Sequence, residues 1–147
     1  MHENMPMNRA LSPAQVQLAF DYVLAVDARD DNAVDRLAIE LLHHHPGLLV
    51  AIAEELIFPV TALPDDAGDI NADSFVLAEL GVLFTAVIRM WSHDCPASAA
   101  PIIARSIAYF VAQIFTIDPE DVAPALEVIR DGRLELARAV HTTSTHR

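Results

Sequence analysis

The 147-residue chain contains no lysine: all nine of its basic residues are arginine. Lysine-based chemistry such as Schiff-base formation is thereby excluded. With the abundance of alanine, the bias reads as GC-rich coding. Cysteine occurs once, at position 95, so no disulfide can form within the chain. Only four glycines and two tyrosines occur. That poverty disfavours glycine-rich phosphate loops, and no dinucleotide or zinc-finger spacing is present. Positive charge is scarce as well. Nine bases against 21 acids leave a net charge of −12. Such a surface is repelled by nucleic acid and anionic lipid, and suits a basic protein partner, a cation or solubility alone.

What is present is a helix-forming vocabulary rich in alanine and leucine, with a hydrophobic fraction of 53%. The expected fold is an all-α, single-domain bundle of about six helices over residues 11–140. Tails are expected at 1–10 and 141–147, with an acidic loop at 59–73. Ser12-Pro13-Ala14-Gln15 starts a first helix as a capping box with proline at the first helical position. Asp30-Asp31-Asn32 caps a second, which ends before Pro46 because the residue preceding proline is pushed out of the α region. A third helix, opened by Pro46, carries Leu48, Leu49, Ile52 and Leu56, with Glu54 and Glu55 towards solvent.

A fourth helix is expected at 73–92. At roughly 100° per residue its apolar arc spans about 160°, from Met90 through Leu83, Leu80, Trp91 and Phe84 to Ile88. This width marks it as the central helix of the bundle. Phe75 and Val82 fall on the opposite side and need a second cover. The fifth, at 98–116, turns Ile103, Ile107, Phe110, Val111, Ile114 and Phe115 inward and leaves Arg105, Ser106, Tyr109 and Gln113 on its polar side. The two apolar stretches, 75–91 and 101–117, approach the length of a membrane span. Glu79 and Arg89 interrupt one, Arg105 and Gln113 the other, so buried bundle helices are expected. Asp118-Pro119-Glu120-Asp121 begins a sixth helix, with Pro124 marking a preceding short turn or a kink.

Three constellations carry candidate chemistry. In ELLHHHPG (40–47), Glu40, His43 and His44 neighbour one another on a helix and would supply part of a divalent transition-metal site, with His93, Asp94 or Cys95 completing it. The plainer reading is a last helical turn whose histidines meet unpaired carbonyls and the helix dipole. Ser92-His93-Asp94-Cys95 brings thiol, imidazole and carboxylate together, but without the spatial convergence a nucleophile requires. Asp69, Asn71 and Asp73 match the first positions of a calcium loop, yet Ser74 and Leu80 break the pattern, so helix capping is the simpler account.

No cofactor is expected beyond that conditional metal. The expectation for function is a non-enzymatic, acidic, cytoplasmic interaction module of adaptor, chaperone or inhibitor type. It would bind a basic protein or a second copy of itself, with neither nucleic acid nor membrane as partner. Its candidate interface residues are Phe75, Val82, Phe84, Met90, Trp91 and Phe110. One alternative is a pocket for a small apolar ligand lined by Phe84, Met90, Trp91 and Phe110. The other is a metal-dependent enzyme built on 40–45 and 93–95.

Overall fold

The computed structural model describes residues 10–61 and 72–144. It is an all-α bundle of six helices: α1 (Pro13–Asp27), α2 (Asp31–His44), α3 (Leu48–Thr61), α4 (Ala72–Asp94), α5 (Pro96–Phe115) and α6 (Val122–Ser144). No strand occurs among the described residues. Residues 1–9 of the tail expected at 1–10, residues 62–71 of the loop expected at 59–73, and the last three residues lie outside that description.

Helix boundaries follow local chemistry. Ser12 and Gln15 close the capping box reciprocally, Gln15 N–H donating to Ser12 Oγ at 3.1 Å and Ser12 N–H to Gln15 Oε1 at 2.9 Å. At the other end of α1, Arg29 adopts φ 56°. Asp30 N–H then reaches Ala25 O and Arg29 N–H reaches Val26 O, the Schellman pattern with arginine where glycine is usual. Asp30 caps α2 through Ala33 N–H at 3.2 Å. His45 and Cys95, each followed by proline, take nearly the same non-helical backbone, φ −141° and −139°. Only Cys95 separates α4 from α5, so these two form a tight hairpin.

Pro124 falls in the first turn of α6, where its missing N–H has no helical partner to lose, and a short 3-10 turn (Pro119–Asp121) precedes it. Helix α6 runs on to Ser144, past the expected end at 140. Pro59 lies inside α3, which continues to Thr61 and takes in the first residues expected to be loop.

The central helix is α1, not α4. Ala19, Phe20, Tyr22 and Val23 have no exposed surface, and α1 packs against α2, α3, α5 and α6. Helix α4 sits outside, against α3 and α5. Ion pairs tie the periphery together. Arg130 of α6 lies 3.6 Å from Asp21 of α1. Arg133 donates to Glu55 O at 3.1 Å, and Arg89 of α4 pairs with Glu54 of α3. Glu54 and Glu55, expected to mark a free face, thus hold neighbouring helices, although pairs this exposed contribute about 0–1 kcal/mol each.

Candidate binding surface

The orientation of α4 differs from that expected. Its buried residues are Gly81, Thr85 and Ile88, flanked by the half-buried Ser74, Ala78 and Ser92. These stand at i, i+4, i+7, i+11, i+14 and i+18, one continuous stripe of mostly small side chains. Apart from Ile88 at its edge, the apolar arc is turned away from the core, and so is the side that carries Phe75 and Val82. Phe75 is 54% exposed, Val82 57%, Leu83 61%, Met90 62% and Trp91 46%. The physical reason is the close approach of α3. A Cβ on Gly81 would stand 2.8 Å from Thr61 Cβ, and closer still to Thr61 Oγ1. Thr61 is held by donating its hydroxyl to Ile57 O at 3.0 Å. No bulky side chain fits beside Thr61, so small residues face inward there; Ile88, two turns on, is the one large residue of the stripe.

Helix α5 follows its periodicity as far as Val111, but Ile114 and Phe115, expected inward, are exposed at its C-terminal end. Ile103, Ile107 and Val111 are buried and Phe110 is half-buried, while Arg105 and Tyr109 are exposed. Between the two helices runs an open groove of about 540 Å³. Leu77, Leu80 and Phe84 form its α4 wall. Gly81, with Ile57 and Thr61 of α3, forms the floor. The α5 rim carries Arg105, Ser106, Tyr109 and Gln113.

Of the sequence-predicted interface residues, Phe84 and Phe110 line this groove. Phe75, Val82, Met90 and Trp91 stand on the exposed face of α4 instead. The cover that Phe75 and Val82 require is not supplied by any described residue of the chain. Leu77, Leu80 and Gly81 are not legible as groove residues in the sequence, because the large residues of α4 do not mark its inward face. The signal that finds it is the small-residue stripe.

The histidine segments are neighbours, but they do not assemble a site. Ser92 Oγ donates to Pro46 O at 3.5 Å, so the turn after α2 lies beside that after α4. His45 Nδ1 lies 3.3 Å from Gln15 Nε2. His43 and His44 are exposed in the last turn of α2. His93 faces Asp94 at 3.2 Å, with both side chains largely in solvent, and Cys95 is exposed. No three His, Cys, Asp or Glu side chains among the described residues stand in an arrangement that would hold a metal ion. The set Glu40, His43, His44 and His93 is therefore not gathered into one coordination sphere. Asp69 and Asn71 of the calcium-like pattern lie outside the described residues, while Asp73 lies in the first turn of α4.

By length and composition α4 and α5 are each apolar enough to cross a membrane; the most apolar window of α4 is only 17% buried, that of α5 39%. Fold and surface together define an all-α bundle that presents, among the described residues, an exposed apolar face on α4 and an adjoining groove. Comparison with family models, curated proteins and solved structures yields no match.

Proposed function

We propose that the chain is a protein-interaction module that associates with a second copy of itself through the outer face of α4. The observation that carries this reading is the inverted helix, with small residues inside and large apolar residues outside. Exposed apolar surface of this extent marks an interface. Six large apolar side chains of α4 are exposed outside the groove: Phe75, Val76, Val82, Leu83, Met90 and Trp91.

A second copy fits better at this face than a basic partner does. Residues 75–91 carry one acid, Glu79, and one base, Arg89, and the base is already paired with Glu54. The excess negative charge lies elsewhere, so nothing at the face selects a cationic surface. A two-fold interface sets the same patch of both copies against itself, and an apolar face with little charge meets no like-charge repulsion there.

Sedimentation equilibrium tests the reading. The wild type is expected to be dimeric, and Leu83→Glu or Met90→Glu to weaken the dimer at least about tenfold, as buried interface positions do. Ile117→Glu, at a fully exposed site outside α4, should leave the dimer intact. A wild type that stays monomeric at high concentration overturns the proposal. A monomer that floats with neutral-lipid vesicles would assign the face to a bilayer instead.

A further inference from the structure

The groove beside α4 is asymmetric in a way self-association does not require. Its α4 wall is wholly aliphatic and aromatic, whereas its α5 side sets Arg105, Ser106, Tyr109 and Gln113 among Ile102, Phe110 and Ile114. Arg105, Tyr109 and Gln113 follow each other at four-residue spacing, which places them in one row along the helix. Arg105 is the sole charged residue among the described residues lining the groove. Its guanidinium, the Tyr109 hydroxyl and the Gln113 amide have no hydrogen-bond or ion-pair partner among the described residues. Arg89, Arg130 and Arg133, by contrast, all engage carboxylates.

We propose that this groove binds a medium- to long-chain carboxylate. The tail lies along Leu77, Leu80 and Phe84 over the bare backbone of Gly81, and the head meets Arg105. The size suits such a ligand. About 540 Å³ falls within the ~300–1,000 Å³ range of small-molecule sites. The α5 rim from Ile102 to Ile114 extends about 18 Å by helical rise. One guanidinium balances one monoanionic head, and its planar fork matches a carboxylate in two parallel hydrogen bonds. Tyr109 and Gln113 add neutral donors further along the same row. The net charge of −12 opposes any anion at long range and would favour a cationic amphiphile. A preference for carboxylate on this chain therefore has to arise locally.

The test is titration calorimetry of the full chain with three amphiphiles of equal tail length below their micellar concentrations: dodecanoate, dodecanol and dodecyltrimethylammonium. Dodecanoate is expected to saturate at one molecule per chain and to bind at least about fivefold tighter than the other two, a modest factor because Arg105 starts from solvent. Arg105→Gln should remove that advantage while leaving dodecanol unchanged, and Arg105→Glu should place the cationic amphiphile first. Ser106→Trp, which fills the groove from its rim, should abolish all three, with helicity checked by circular dichroism. Leu83→Glu, outside the groove, should bind dodecanoate like the wild type, so that ligand binding and self-association are read separately. Absence of saturable dodecanoate binding overturns the proposal. So does dodecyltrimethylammonium binding as tightly as dodecanoate to the wild type, or dodecanoate binding Arg105→Gln as it does the wild type.

Discussion

Tyr22 is the largest side chain in the core with no exposed surface. Burial raises its phenol above the ordinary value of 10.0, and the nearby Asp35 carboxylate adds to the shift. Between the ordinary and the raised value the unfolded chain has lost the phenolic proton while the folded chain keeps it. The unfolded state then binds fewer protons, so stability falls as pH rises. The contribution of Tyr22 is accordingly complete below about pH 10 and is lost as pH climbs through the raised value. The absence of lysine makes this limb readable, since no ammonium side chain titrates in the same range. Urea unfolding of the wild type and Tyr22→Phe at a series of alkaline pH values measures the effect. The wild type should lose stability more steeply than the variant; parallel curves would show that Tyr22 is not the source.

Among the helices, what could be read from sequence and what could not divide along a physical line. Caps and prolines act within a few residues. Ser12 with Gln15, Asp30 with Ala33, and the break before Pro46 therefore stand where local chemistry puts them. The inward face of α5 is legible from Ile103 to Val111, where the large residues and the buried face coincide, and not at its end, where Ile114 and Phe115 are exposed. In α4 the two part company. A wheel ranks positions by hydrophobicity, but burial there is decided by how closely α3 approaches, and that distance depends on Thr61, a residue in another helix. The polar row of the groove rim was visible as the polar side of α5; its opposite wall was not, because it required α4 to be rotated. The histidine cluster shows the same division. Its helix-ending role is local, whereas convergence with His93 depends on tertiary placement. The packing account predicts that Gly81→Ala destabilises the protein. Alanine normally gains about 0.5–1 kcal/mol over glycine inside a helix. Here the added methyl meets a Thr61 side chain that is buried and hydrogen-bonded. Overpacking of this kind costs about 1–3 kcal/mol, so a net loss of about 1–2 kcal/mol is expected in denaturant unfolding. Thr61→Ala should lessen the loss in a double-mutant cycle. A Gly81→Ala protein as stable as the wild type would mean that α3 and α4 are not in such close contact.

At the scale of the whole molecule, apolar surface and net charge pull association in opposite directions. Two copies each carrying −12 repel one another. The outer face of α4, which would join them, is held by apolar burial and is nearly free of charge. Raising the ionic strength from about 0.01 M to about 1 M shortens the screening length from roughly 30 Å to roughly 3 Å. Repulsion between the copies is then suppressed, while apolar burial is left intact. Self-association is therefore expected to tighten with salt, by about tenfold or more over that range. A basic partner would behave in the opposite sense, since its attraction to the acidic surface is what salt screens. Sedimentation equilibrium of the wild type at low and high sodium chloride separates the two. A dimer that strengthens with salt, and that Leu83→Glu weakens at both concentrations, places the association on the apolar face of α4. One that dissociates as salt is added would mean that charge holds the copies together, and the inverted helix would then have some other occupant.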